Sequence, residues 1–277
     1  MDKRIITVAP TGNVPTRQKT PHVPLTPEEI VQDVYACYNS GAAVAHFHAR
    51  DEEGKPTLRK DVFERILDLL EVRNCPVVRQ FSTGGRAAQT DEERLAPLAL
   101  RPEMASLCTG STNFPDRAYV NPPAFVELLA KRMRELKIKP ELEIFDCAMI
   151  ANALALRQKG YLEGKLVFNL VLNIRGAMPG TPKNLLFLVE SLPAGSLWTV
   201  SVIGEPHVAL STMAIAMGGH VRVGIEDNIY YQKGVLATNR MLVERIVRIA
   251  RAVGREIASP EEAREMLGLV GRAEPPA

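Results

Sequence analysis

Two histidines separated by one residue are the strongest chemical signal in the sequence. His46 and His48 lie in the segment Gly41–Arg50, whose small and apolar residues are typical of a buried strand. Because side chains alternate between the two faces of a strand, both imidazoles lie on one face, about 7 Å apart, and can bind one metal ion. The alternative is a pair of hydrogen-bonded core histidines, and this segment alone leaves both interpretations open.

A charged segment near the C-terminus supplies a third candidate ligand. In Arg222–Asp227, period-two alternation places Arg222 and Glu226 on one face of a predicted strand. Charged side chains on a buried face need compensation for lost hydration, and a structural ion pair is one interpretation. The other is that Glu226 joins His46 and His48 in a three-ligand divalent metal site with an open position, as in catalytic zinc.

Further candidates lie on three other predicted strands. Alternation within Glu141–Asp146 places Glu143 on the inner face, where it is a natural partner for Arg222, whereas we interpret Asp146 as the N-cap of the next helix. The loop Ser82–Gly85 offers hydroxyls and exposed N–H groups to a carboxylate or phosphate, although the same residue types make ordinary turns. Ser106 could add a hydroxyl, although a buried serine more often bonds the backbone.

A repeating order of strand and helix must position these residues. The predicted strands are Arg4–Gly12, Ala43–Ala49, Pro76–Ser82, Met104–Cys108, Glu141–Asp146, Leu166–Ile174, Ser196–Gly204 and His220–Ile225. The predicted helices are Pro27–Ser40 with Thr26 as N-cap, Leu58–Arg73, Asp91–Leu100, Pro122–Lys137, Ala148–Lys159, Pro182–Ser191, Val208–Met217 and Asn239–Val253.

The number of strand–helix units predicts the fold. Eight units in about 250 residues are typical of a TIM (β/α)8 barrel, and a doubly wound open sheet is the alternative. Polar residues follow nearly every strand, which favours a ring of strands with one active face, and no Gly-x-Gly-x-x-Gly follows the first strand. We therefore predict one barrel domain over residues 1–277, with a short helical extension capped by Ser259 and a frayed tail over Glu274–Ala277.

The composition gives no reason to expect nucleic acid or a membrane as a partner. The net charge is +2, and 46% of the residues are hydrophobic. No apolar run approaches the roughly 20 residues that span a bilayer, and the N-terminus shows no signal-peptide pattern. The cysteines, which form no Cys-x-x-Cys pair, are expected to be buried free thiols of a cytoplasmic protein.

Together these segments resemble one family, the β-keto acid cleavage enzymes, whose founding activity is the cleavage of 3-keto-5-aminohexanoate. The resemblance runs in order over essentially the whole chain through Ile6–Gly12, Thr26–Ile30, Ala45–Arg50, Ser82–Gly85, Glu141–Asp146 and Gly218–Ile229. It implies a TIM barrel, a homotetramer and coenzyme A transfer. In that reaction a β-keto acid and acetyl-CoA give acetoacetate and a new acyl-CoA through Claisen and retro-Claisen steps.

The resemblance also implies roles for individual residues. The family's zinc ligands correspond to His46, His48 and Glu226. Its base corresponds to Asp227, with Arg222 and Glu143 as the supporting pair. Asp227 has the opposite strand parity to Glu226, so it can act only if the strand is already turning there.

Substrate contacts follow from the same resemblance, with one departure. Ser82 and Ser106 match hydroxyl positions that contact substrate, and Gly84 and Gly85 belong to the same site. Family members that act on the amino-bearing substrate carry Glu where this chain has Val14. An ammonium group loses its counter-charge there, so the expected substrate is a neutral or apolar β-keto acid; Arg17 makes an anionic tail the second candidate.

Two other classes of function remain open from the sequence. Metal-dependent hydrolases of the amidohydrolase type also carry His-x-His on a barrel strand, but on the first strand and with further histidines later. A non-catalytic barrel that binds a metal or an acyl ligand is the other class. Turnover that depends on acetyl-CoA distinguishes all three.

Overall fold

The computed structural model describes residues 3–88 and 90–269, and within them parallel strands close into a barrel. These strands are β1 (Ile6–Val8), β2 (Val44–Phe47), β3 (Val78–Phe81), β4 (Met104–Cys108), β5 (Lys139–Ile144), β6 (Val167–Leu172), β7 (Leu197–Val202) and β8 (His220–Val223). Each strand pairs with its sequence neighbour, and β8 pairs with β1. The TIM-barrel prediction is confirmed and the open sheet is excluded; the predicted tail over Glu274–Ala277 lies outside the described residues.

Helices follow the strands and cover the outside of the barrel. They are α1 (Pro27–Asn39), α2 (Lys60–Val72), α3 (Asp91–Leu95), α4 (Pro123–Glu135), α5 (Ala148–Gln158), α6 (Pro182–Ser191), α7 (His207–Met217), α8 (Asn239–Ala252) and α9 (Pro260–Leu267). The start of α1 is fixed by a capping box, in which the Thr26 side chain accepts from the Glu29 N–H and the Glu29 carboxylate accepts from the Thr26 N–H.

The third helix is shorter than predicted. The sequence pattern indicated one helix over Asp91–Leu100, but α3 ends at Leu95 and a 3₁₀ segment continues over Ala96–Leu100. Pro97 explains the change, because it has no N–H to donate and its ring opposes a continuous α-helix.

The C-terminal segment closes the end of the barrel where the strands begin. Ala258, Ala263, Leu267 and Leu269 pack in one apolar cluster with residues at or before the strand starts, among them Ile5, Val44, Val78, Met104 and Val167. Arg264, on α9, bonds the Glu103 carboxylate at 2.6 Å and the Pro76 carbonyl at 2.9 Å. This end is therefore apolar and sealed, and the opposite end is free to carry a site.

Small two-stranded ribbons extend from three barrel strands at the open end. They are Ala49–Arg50 with Pro56–Thr57 after β2, Thr112–Asn113 with Ala118–Tyr119 after β4, and Tyr230–Gln232 with Val235–Leu236 after β8. Among the described residues, no helix is both long and apolar enough to cross a membrane. The cysteines are free; Cys37, Cys75 and Cys108 are buried as predicted, but Cys147 is exposed, because it lies at the start of α5 outside the core.

Candidate metal centre and active-site cavity

The structure brings His46, His48 and Glu226 together at the open end of the barrel. The Nε2 atoms of the two histidines are 3.3 Å apart. Oε1 of Glu226 is 3.3 Å from Nε2 of His48 and 4.0 Å from Nε2 of His46. One donor atom from each residue lies within 4.8 Å of the others, which is the arrangement expected of three ligands to one metal ion.

Glu226 reaches this position through a turn and not through a continued strand. β8 ends at Val223, and the N–H groups of Asp227 and Asn228 then donate to the Gly224 carbonyl at 3.1 and 2.9 Å. Glu226 therefore lies on the side that was predicted, but the turn places it there and not strand alternation. The turn also satisfies the condition set for Asp227, because the Glu226 and Asp227 carboxylates both face Arg222.

Close contact between the end of β1 and this turn holds Glu226 in place. The Glu226 N–H donates to the Ala9 carbonyl at 3.2 Å. Gly12 has φ +61°, and a Cβ atom there would lie 2.5 Å from Cγ of Glu226. A side chain at this position would strain the backbone and displace the carboxylate, so glycine is required.

Hydrogen bonds orient both imidazoles toward Glu226. Nδ1 of His46 lies 2.7 Å from the Gln80 side-chain oxygen, and Nδ1 of His48 lies 3.2 Å from the Asn13 side-chain oxygen. Both partners are acceptors, which assigns a proton to each Nδ1 and leaves both Nε2 lone pairs facing the site. Burial, with Arg222 nearby, lowers the pKa of His46 to about 3, so this ring is neutral at neutral pH.

These lone pairs have no donor between them, which makes the site suited to a cation. The second carboxylate oxygen of Glu226 is buried and has no hydrogen-bond partner. Although burial raises the pKa of Glu226, the Arg222 guanidinium beside it holds that pKa well below its usual range. Two neutral imidazole nitrogens and an ionised carboxylate form a donor set that suits zinc, so the residues fit the metal that the sequence implied.

Arg222 binds a different partner from the one predicted. Its guanidinium donates to Glu226 at 2.5 Å and to both carboxylate oxygens of Asp227 at 3.0 Å. Arg222 and Glu143 form no ion pair, so the predicted direct pairing is wrong; the turn after β8 supplies two nearer carboxylates. Burial raises the pKa of Glu143 to about 8, which keeps this carboxyl group protonated at neutral pH.

Asp227, the base that the resemblance implies, is buried beside Arg222. Burial raises its pKa above the ordinary range; the Arg222 guanidinium opposes this shift, and the Glu226 charge adds to it. A carboxylate with a raised pKa is the stronger proton acceptor, which suits general base catalysis.

A cavity of about 980 Å³ opens above these residues. The residues predicted from the sequence that line it are Val14, His48, Ser82, Gly84, Gly85, Glu143, Arg222, Glu226 and Asp227. Ser106 is not among the lining residues, because its buried hydroxyl accepts a hydrogen bond from the Thr83 N–H at 3.1 Å. That bond fixes the Ser82–Gly85 loop, so Ser106 supports the cavity wall without facing the cavity.

Sequence reasoning missed the polar residues that support the site. Gln80 and Asn13 orient the histidines, and Asn239 links the ends of β1 and β8: its amide donates to the Pro10 carbonyl at 3.1 Å and accepts from the Ile225 N–H at 2.7 Å. The same amide donates to the Asp33 carboxylate on α1. Asn239 is fully buried at the first position of a helix, where a polar residue gives no signal of its partners.

Comparison with known proteins decides the family. The sequence model of the beta-keto acid cleavage enzymes matches residues 3–269. This chain belongs to that family. It is 44% identical over 272 residues to the 3-keto-5-aminohexanoate cleavage enzyme of Acetoanaerobium sticklandii, covering 97% of this chain and 99% of the relative. It is 39% identical over 269 residues to the 3-oxoadipate:acetyl-CoA acetyltransferase of Cupriavidus necator, covering 96% and 94%.

Solved structures support the fold independently. The apo structure of ObcA matches with a TM-score of 0.77 at 21% sequence identity. The match covers 90% of this chain and 66% of that chain. At this level of identity the similarity concerns the barrel, and the chemistry has to be argued from the site.

Asp33 predicts a pH dependence of stability that is separate from the metal centre. Burial raises its pKa from 3.8 to about 6, so between these values the folded protein keeps a proton that the unfolded chain has lost. The contribution of Asp33 to the free energy of unfolding of the wild type is therefore lost as pH rises from about 4 to about 6. Asp33→Asn cannot lose a proton in this range, and its side-chain oxygen still accepts from Asn239.

Urea unfolding at several pH values tests this expectation. The unfolding free energy of Asp33→Asn relative to wild type should increase by at least about 1 kcal/mol across that window, less than the full value of the pKa shift because Asp33 is only partly buried. The difference should stay constant above the window. The exposed Asp68→Asn on α2 is the control, and a pH-independent difference for Asp33→Asn would contradict the assignment.

Proposed function

We propose that this chain is a zinc-dependent enzyme that condenses a β-keto acid with acetyl-CoA, giving acetoacetate and a new acyl-CoA. The convergence of His46, His48 and Glu226 beside the Asp227 carboxylate carries the proposal. Membership of a family of β-keto acid cleavage enzymes supports it, as does the relative named for acetyl-CoA. The homotetramer, the cytoplasmic location and the single-domain organisation rest on the sequence and stay predictions.

Different residues of the site bind the metal, remove the proton and orient the base. A divalent cation held by His46, His48 and Glu226 supplies a Lewis acid beside the cavity when it is bound. Asp227, at the cavity wall, removes the proton between the ketone and the carboxylate of the substrate. Arg222 holds the Asp227 carboxylate by two hydrogen bonds at 3.0 Å, which fixes the direction from which the proton is taken.

The rest of the cavity provides donors for the substrate carboxylate. The Ser82 hydroxyl and the Gly85 backbone lie at the wall where an anion would be accepted. The Gly84 N–H, at the same wall, donates to the Ser82 hydroxyl oxygen at 3.1 Å and orients that hydroxyl. Glu143, protonated because burial raises its pKa to about 8, adds a neutral donor on the same cavity. A neutral acid there avoids repulsion with the substrate carboxylate, which a second ionised glutamate would cause.

The first loop supports a substrate without an ammonium group. Its residues at the cavity are Asn13, Val14, Pro15 and Lys19, and none is acidic. Val14 is 51% exposed, so its side chain is free to contact a substrate tail. We therefore propose a neutral or apolar tail, although the relative at 44% identity is named for the amino substrate.

An anionic tail is the second candidate, for a reason that differs from the sequence argument. Arg17 had suggested it, but its guanidinium binds the Glu29 carboxylate at 2.5 Å and does not line the cavity. Lys19, from the same loop, does line it and offers the cation instead. The relative named for 3-oxoadipate is consistent with an acidic tail in this family.

Metal content is the first test. Purified wild type should contain about one zinc per chain, and His48→Ala should lose most of it, because two of three protein ligands hold a cation weakly. The exposed His22→Ala is the matched control and should keep the metal. Equal zinc in wild type and His48→Ala, measured by elemental analysis, would rule out the site.

Loss of the base is the second test. Asp227→Asn should keep its zinc and lose turnover by about 10²-fold or more, the usual scale for a general base. Exchange of the substrate's α-hydrogen with deuterated solvent is the direct assay, and Asp61→Asn, exposed on α2, controls for loss of a carboxylate. Undiminished exchange in Asp227→Asn would assign the base to another group.

Substrate preference is the third test. Wild type should favour a neutral β-keto acid over 3-keto-5-aminohexanoate by at least about tenfold in kcat/KM, which corresponds to about 1.4 kcal/mol. Val14→Glu should narrow or reverse this ratio of kcat/KM values, because its carboxylate would pair with the ammonium group. Val14→Gln, which has the size of glutamate but no charge, should leave the ratio unchanged. An unchanged ratio in Val14→Glu would show that this position does not determine specificity.

A further inference from the structure

A second cavity, of about 940 Å³, lies beside the first. It is formed by the loops after β7 and β8, by the ribbon Tyr230–Leu236 and by α8. Ile203, Asp227 and Ile229 line both cavities, so the second one meets the first beside the proposed base. A long molecule could therefore place one end at Asp227 and the remainder in the second cavity.

The second cavity contains a cation held in position without a carboxylate partner. The Arg245 guanidinium stacks on the Tyr231 ring at 3.2 Å, and one of its nitrogens is 3.4 Å from Nε2 of His207. It makes no ion pair with any carboxylate in residues 3–88 and 90–269. Arg248 donates to the Tyr231 hydroxyl at 3.0 Å from the next turn of α8, and Lys233 lies at the tip of the ribbon.

We propose that this cavity binds the coenzyme A portion of acetyl-CoA, with its phosphates at Arg245 and Lys233. The inference rests on the proposed function, which brings an acyl-CoA to the site. The thioester would lie at the junction near Asp227, and the pantetheine arm would cross the wall formed by Ile203, Val208 and Ile229. Tyr230, 52% exposed, offers an aromatic face at the outer end.

The geometry and charge at Arg245 favour phosphate as the group that it binds. A planar guanidinium binds phosphate oxygens through two parallel N–H bonds, and here it is already oriented by Tyr231 and His207. An unneutralised guanidinium beside a cavity attracts an anion. Loops after the seventh and eighth strands form the phosphate site of many TIM barrels, and the loops after β7 and β8 form this cavity.

The rim of the first cavity is the rival position for the phosphates. Arg175 lines it, is exposed and makes no ion pair among the residues that the structure describes. Lys19 lines the same cavity and is a second rival, whereas Arg86 binds Asp116 at 2.6 Å and Arg94 binds the Asn121 side chain at 2.7 Å. The two positions are separated by experiment, since each depends on a different arginine.

The test compares two acetyl donors. Acetyl-CoA carries the phosphates, whereas S-acetyl-N-acetylcysteamine has only the thioester end. Arg245→Gln should raise KM for acetyl-CoA about tenfold or more, the scale of one lost charged hydrogen bond, with kcat unchanged and the truncated donor unaffected. Lys233→Gln, on an exposed turn, should raise KM for acetyl-CoA in the same way by a smaller factor.

Two further variants test the direction of the charge effect on KM and provide a control. Glu205→Gln removes the exposed carboxylate of this cavity and should lower KM for acetyl-CoA, because it repels phosphate. Arg251→Gln, exposed on α8 and outside the cavity, is the matched control and should match wild type. An increase in KM in Arg245→Gln that is equal for both donors would indicate a structural role and overturn the proposal. An increase in KM for acetyl-CoA that occurs only in Arg175→Gln would overturn it as well.

Direct binding of coenzyme A distinguishes failure of this inference from failure of the proposed function. Calorimetry should show that wild type binds coenzyme A and that Arg245→Gln binds it about tenfold more weakly. If no keto acid is turned over while this difference holds, the proposed function fails and the subsite stands. If turnover depends on acetyl-CoA but Arg245→Gln and Lys233→Gln match wild type in KM and binding, the subsite fails and the function stands.

Discussion

The open end of the barrel depends on the balance of buried charge around Arg222. This guanidinium donates to Glu226 and Asp227, and its charge lowers the pKa of those two groups and of Glu141 and Glu143. One positive charge cannot neutralise this set, so the groups separate into different states. Glu226, beside the histidines, is ionised, whereas burial raises the pKa values of Glu141, Glu143 and Asp227. A divalent cation at the histidine end would offset the remaining negative charge.

Closure of the barrel between β1 and β8 determines which loops share the cavity. The Ala9 N–H donates to the Val223 carbonyl at 2.9 Å, and the Glu226 N–H donates back to the Ala9 carbonyl. Gly224 permits this contact, because a Cβ atom there would lie 1.9 Å from the Ala9 oxygen. The loop that carries Val14 and the turn that carries Asp227 are therefore linked through the backbone. The proposed contact with the substrate tail and the proposed base are therefore held in a fixed position relative to each other.

The two ends of the barrel have different physical roles. The end where the strands begin is closed by apolar contacts with α9, and it contributes burial and stability. The other end carries polar residues whose burial destabilises the fold unless each has a partner. Asn239 supplies such partners to the backbone of Pro10 and Ile225, and Gln80 supplies one to His46 and thereby orients that metal-ligand candidate. The residues around the candidate ligands thus contribute both to stability and to the geometry of the site, as in many metal sites.

Local sequence patterns determined the order of the elements and the identity of most site residues. Period-two alternation in Gly41–Arg50 placed His46 and His48 on one face, and strand–helix repetition gave the barrel. Helix boundaries that depend on local caps, such as Thr26 for α1, were predicted closely. The third helix was predicted too long, because Pro97 lacks an N–H and the chain continues after Leu95 as a 3₁₀ segment.

Only the tertiary structure decided which residues contact one another. The pairing of Arg222 with Glu226 and Asp227 instead of Glu143 depends on where β8 stops and turns, and alternation cannot show this. Ser106 was placed on the correct strand, but its hydroxyl is taken by the Thr83 N–H. The roles of Gln80, Asn13 and Asn239 had no sequence signal, because their partners lie on other elements that are distant in the sequence. Side-chain chemistry is a local property of the sequence, whereas burial, pKa and hydrogen-bond partners are set by neighbours that only the closed barrel brings into contact.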